Sequence, residues 1–169
     1  MNLLNRILII LFCFFICLKT EANVFEHPKQ LNYIFQKLPD LENVNCKFYQ
    51  EKISNGVSLK SNGDFHFDKN KGVTFYTTYP IKTTTTYNSN SSKKINDIIS
   101  AIINKNYKKL EKDFAFYYEE GWNLGLKPKK NSPAFSYIKQ IEIRGNQKMI
   151  TNIEIVTVDS ITTKIRFQW

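Results

Sequence analysis

Cysteine and histidine are nearly missing from this 169-residue chain, and each shortage excludes chemistry. Two of the three cysteines, Cys13 and Cys17, lie within the first 22 residues, which leaves Cys46 alone in the rest. A single cysteine makes no internal disulfide and no cysteine metal cluster. The only histidines are His27 and His66. Glycine-rich phosphate loops, paired acid motifs and nucleophile elbows are absent as well. A Cys46–His66 nucleophilic pair is conceivable, but alternation argues against it. Cys46 shares the parity of Val44 and Phe48, while His66 alternates with Phe65 and Phe67, so the two are expected on opposite faces. Asp64, His66 and Asp68 occupy every second position, a ligand-like spacing. An outward strand face is polar in any case, and they are read as solvated. The inventory predicts no catalytic residue, no metal and no cofactor, and therefore a binding or carrying protein rather than an enzyme.

A long apolar run is also lacking. The one candidate, "ILIILFCFFICL" from Ile7 to Leu18, falls short of the roughly 20 residues a membrane span needs. With Arg6 before it and Thr20-Glu21-Ala22 after it, the run reads as an export signal over 1–22, cleaved after Ala22. The alternative is an uncleaved anchor. The residues before Cys13 and Cys17 do not form the small-residue pattern of a lipid-modified cysteine. Residues 23–169 then form one domain, long enough to bury roughly 68–70% of its unfolded surface. The formal charge is +9, and loss of Arg6, Lys19 and Glu21 lowers it by one. For an exported protein that charge suits anionic headgroups or an acidic partner better than nucleic acid. An abundance of lysine explains it equally well.

Periodicity supplies the architecture. Leu31, Ile34, Phe35 and Leu38 fall on one helical face between Pro28 and Pro39. From Val44 the period changes to two, through Cys46 and Phe48, then Val57 and Leu59, then Phe65 and Phe67. Turns are predicted at both "SNG" segments, 54–56 and 61–63. A strand through Val73, Phe75, Thr77 and Tyr79 meets Pro80, and another follows over 81–87. Ile95, Ile98, Ile99, Ile102, Ile103 and Leu110 mark a second helix, whose stripe is either core or a movable cover. Alternation returns over 114–118, 122–126, 141–143, 153–155 and 161–167, with "RGNQ" at 144–147 as a turn. Helix, meander, helix, meander predicts an α+β fold with a large antiparallel sheet. Large twisted sheets curl, and an apolar concave face suits an apolar ligand.

In this order the elements resemble the LolA family of periplasmic lipoprotein carriers. The resemblance runs from about Val44 to Phe167, over "FYQEK" at 48–52, "GDFHF" at 63–67 and "GVTFY" at 72–76, then "INDIISAI" at 95–102 and "NYKKLEKDFAFYY" at 106–118. It ends with "WNLGLKPK" at 122–129, "IKQIEIRGN" at 138–146, "MITNIEIVTVD" at 149–159 and "TTKIRF" at 162–167. It implies a curled sheet forming an open half-barrel covered by helices, and a soluble, monomeric periplasmic carrier. Such a carrier shelters the acyl chains of lipoproteins or another envelope lipid between an inner-membrane donor complex and an outer-membrane acceptor. Phe48, Leu59, Phe65, Phe67, Phe75 and Tyr79 would line the cavity wall, and Ile95, Ile98, Ile99 and Ile102 would form its lid. Lys69 falls where the family carries an arginine that helps hold the lid, and a lysine lacks the planar two-pronged contact. The alternative is a single-domain lipid-sensing or regulatory module of the envelope.

Overall fold

The computed structural model describes residues 23–26, 28–29, 33–34, 36, 43–68, 71–87, 98, 101–102, 106–146 and 148–169. The proposed signal over 1–22, His27, Lys69, Ile95 and Ile99 lie outside these residues.

Two meanders make one sheet. The first contains β1 (Asn43–Ser54), β2 (Val57–Asp68), β3 (Gly72–Tyr79) and β4 (Thr83–Tyr87). The second contains β5 (Phe114–Glu119), β6 (Asn123–Pro128), β7 (Ile138–Gly145), β8 (Ile150–Thr157) and β9 (Thr162–Gln168). All neighbours are antiparallel, in the order β4-β3-β2-β1-β9-β8-β7-β6-β5. The first strand therefore pairs with the last at the sheet's centre, and the edges are β4 and β5. Alternation sets the inward face: Val44 and Phe48 on β1, Phe65 and Phe67 on β2, Ile153 and Ile155 on β8, and Ile165 and Phe167 on β9 are all buried.

The α+β class is corrected. Of the described residues 62% are in strands and only 16% are helical, so the fold is mostly β, an open nine-stranded sheet rather than a sheet covered by helices. Two causes are visible. β1 and β2 form a hairpin of two 12-residue strands, where the predicted turn at 61–63 had divided the second. Among the described residues, the helical elements with both ends defined are short: α1 (Tyr107–Asp113) has seven residues, and the 3-10 turns η1 (Val24–Glu26) and η2 (Pro133–Ser136) have three and four. α1 is separate from Ile98, Ala101 and Ile102, which are themselves helical and buried.

The two Asn-Gly pairs diverge for a steric reason. Asn55 and Gly56 both take positive φ, 49° and 77°, as a two-residue hairpin turn requires. Gly63 instead sits inside β2, where the register to β3 slips: Asn62 faces Tyr79, Gly63 faces Thr77, and Thr78 is the extra residue of a bulge. The Thr78 hydroxyl donates to the Asn62 backbone oxygen at 3.2 Å. A Cβ on Gly63 would stand 1.9 Å from the Tyr76 carbonyl oxygen, so glycine serves close backbone approach here rather than a turn. Trp122, expected to open a strand, is buried in the β5–β6 turn with φ 75°.

The start of the described chain folds over edge strand β5. On the outer face Phe25 meets the Tyr117 ring edge-on at 5.6 Å and covers Gly125, where a Cβ would lie 2.6 Å from its ring. Lys127 places its ammonium 4.7 Å from the centre of the Phe25 ring. At the edge, Pro28 bridges to Tyr117 and the Lys29 amide donates to the Phe116 carbonyl at 3.1 Å. Beyond it, Tyr33 donates to Glu120 Oε1 at 2.6 Å and stacks edge-on against Tyr118, while Ile34 is fully buried in the core. This clasp gives β5 a partner that blunts its open edge.

Candidate functional site: the apolar face and its open end

The expected wall residues separate into two groups. Phe48, Phe65, Phe67 and Phe75 are all buried and belong to one continuous core cluster. Three edge-on or tilted contacts link three of these rings with Phe167: Phe48–Phe75 at 5.0 Å, Phe65–Phe75 at 5.1 Å and Phe65–Phe167 at 4.8 Å. Phe48 lies opposite Gly63 in the β1–β2 register, and its ring crosses β2 to reach Phe75. Phe167 is a wall member that the sequence reading left out; its parity with Ile165 was the available signal.

Leu59 and Tyr79 are placed differently. Leu59 has the parity of Phe65 and Phe67, so it faces the same side, yet it is 67% exposed. Val57, two residues further, is 62% exposed on that side. Tyr79, 56% exposed, stands opposite Asn62 across the β2–β3 ladder, so the bulge at Thr78 turns it to the other side of the sheet from Phe65 and Phe75, and its expected place in the wall is corrected. Past the packed core this face is mixed on the far half of the β1–β2 hairpin, where Leu59 stands opposite Lys52 and Val57 opposite Ser54, with Ser61 and Gln50 between them and the phenylalanines. Inside the core, the expected lid residues Ile98 and Ile102 are 5% and 1% exposed and share the cluster with the phenylalanines.

The candidates for chemistry are occupied with other contacts. Cys46 faces Phe65 across the β1–β2 ladder, while His66 faces Asn45 and meets the Tyr76 ring edge-on at 4.9 Å, so the two sit on opposite faces. Burial and the nearby Asp64 carboxylate push the Cys46 thiol up to about 11. Asp64 pairs with Lys47 at 2.5 Å, and Asp68 accepts the Lys71 amide at 3.0 Å. No group of His, Cys, Asp and Glu among the described residues could hold a metal ion.

Compared with known proteins, the chain matches no family model, and no curated protein is similar enough to count as a relative. The likeness to LolA carriers therefore rests on the motifs themselves.

Proposed function

We propose that this protein carries the acyl chain of a lipoprotein or another envelope lipid on the apolar face of its sheet, in the periplasm to which residues 1–22 would export it. The observation that supports this reading is the open end of that face: beyond Gly63 and Ser61 the Phe65/Phe67 row resumes with the exposed Leu59 and Val57, and Lys52 opposite Leu59 offers a cation to a headgroup at the entrance. An acyl chain laid along the row would enter at the hairpin and run toward Phe48 and Phe75, taking the place that Ile98 and Ile102 hold.

Magnitudes favour the exchange. At roughly 0.8 kcal/mol per CH₂, a sixteen-carbon chain gains on the order of 10 kcal/mol on leaving water. Displacing two isoleucines forfeits only about 3–6 kcal/mol. The same figures require that release go to a better apolar acceptor, so a donor and an acceptor at the two membranes complete the proposal.

Titration of an apolar fluorescent probe into the folded protein tests it. Saturable binding near one to one, displaced by lipid, is expected. Val57→Lys with Leu59→Lys should weaken binding at least about tenfold, because an unpaired charge beside an apolar ligand costs several kcal/mol. Both positions are exposed, so the unfolding midpoint should stay put. Absence of saturable binding, or unchanged binding by the double variant, overturns the proposal.

A further inference from the structure

The opposite, polar face carries a groove of about 450 Å³ running over β7, β8, β9, β1 and β2. The registers arrange its lining as two parallel rungs. One reads Glu142, Glu154, Lys164, Glu51, Lys60 from β7 to β2. This rung neutralises much of itself, with Lys164 3.7 Å from Glu154 and Lys60 3.9 Å from Glu51. The other reads Arg144, Asn152, Arg166, Tyr49, Asn62 and contains no carboxylate. Arg144 reaches along its own strand to Glu142 at 2.9 Å. Arg166 does not pair in this way: its guanidinium lies 5.0 Å from the centre of the Tyr49 ring, and among the described residues no carboxylate is within ion-pair distance of it. Three of the groove's four cations thus face a glutamate, and the fourth lies over an aromatic ring with its side chain exposed.

We infer that this groove is a binding site for a small hydroxylated oxyanion, of the sugar-phosphate class, with Arg166 as its anchor. The guanidinium fork matches a phosphate group. Asn152 and Asn62, on either side along the same rung, supply the paired donors and acceptors that hydroxyl groups need, and the volume is that of a small-molecule site. Glu51, Glu142 and Glu154 on the neighbouring rung repel a polyanion, so nucleic acid does not fit. The groove and the apolar face lie on opposite sides of one sheet, so one amphiphile cannot fill both, and the ligand is water-soluble. This site is independent of the acyl-chain proposal, and either can fail alone.

The experiment is an amide-resolved titration of the labelled full chain with glucose 6-phosphate, with glucose and inorganic phosphate as references. Saturable shifts are expected at residues 49, 152 and 166 with glucose 6-phosphate, about tenfold tighter than with inorganic phosphate and absent with glucose. Arg166→Gln should weaken binding tenfold or more, as loss of a hydrogen-bonded charge does, and Arg166→Lys should restore part of it. Lys148→Gln, outside the groove, should bind as the parent does. Should Arg166→Gln not fold, Tyr49→Leu removes the platform alone and is expected to weaken binding severalfold. The inference is overturned if glucose 6-phosphate gives no saturable shifts, if inorganic phosphate binds as tightly, or if every folded variant binds like the parent.

Discussion

Gly56 and Gly63 follow asparagines in identical "SNG" triplets, and their substitutions should separate sharply. A Cβ at Gly56 meets nothing within 4 Å, so Gly56→Ala suffers only the strain of φ +77°, about 1 kcal/mol. At Gly63 the Cβ would collide with the β3 backbone, and Gly63→Ala should cost about 3 kcal/mol. Urea denaturation of the two variants checks the ordering. Cys46 offers a pH test. Its thiol is raised from 9.0 to about 11, so in the window between those values the unfolded chain has released a proton that the folded chain keeps. Stability should fall as pH rises through the window and be insensitive to this group below it. Relative to the parent, Cys46→Ala should show a shallower decline between pH 9 and 11. Reaction of the folded protein with a thiol reagent should go on accelerating to pH 10 rather than level off near 9.

At the scale of elements, what alternation encodes was readable and what depends on distant partners was not. The inward rows of β1, β2, β8 and β9 follow directly from period-two spacing, because a buried face leaves a mark at every second residue. The bulge at Gly63 leaves no such mark, since the same triplet makes a turn at 54–56 and its different role here is decided by Tyr76 on another strand. The clasp over β5 was missed for the same reason: Phe25 and Pro28 gain meaning only beside Tyr117, Gly125 and Lys127, about ninety or more residues later. Four of the six candidate wall residues, all phenylalanines, sit in the core, while the exposure of Leu59 depends on where packing stops and the face of Tyr79 on the bulge at Thr78. Phe25→Ala should cost about 2 kcal/mol, less than a fully buried phenylalanine, and should speed amide exchange at Lys29 and along β5 more than in β8. Ile102 tests the carrier proposal from inside. Ile102→Ala should cost about 2–5 kcal/mol in the free protein, and markedly less once lipid is bound, if lipid already displaces that side chain. An equal cost with and without lipid, read from unfolding midpoints, would return Ile102 to ordinary core.

For the molecule as a whole, the seam where β1 meets β9 decides cooperativity. Phe48 faces Phe167 and Gln50 faces Ile165 across it, so each meander contributes to one shared core. Deleting residues 162–169 should therefore remove the bridge as well as a strand, leaving β1 and β8 with bare edges. The shortened chain is expected to lose its single cooperative unfolding transition and to aggregate, measured by denaturation and light scattering against the full chain. The same seam has a consequence during synthesis. β1 emerges from the ribosome early, and its permanent neighbour is the last of the nine strands to follow, more than a hundred residues later; at 5–20 residues per second, that is about 5–20 s of translation. Through that interval the nascent chain presents an unpaired strand edge beside Phe48 and Phe65, the kind of surface on which neighbouring chains stick. A holding chaperone that keeps the strand apart until β9 arrives would raise yield more than any agent that speeds the local hairpins.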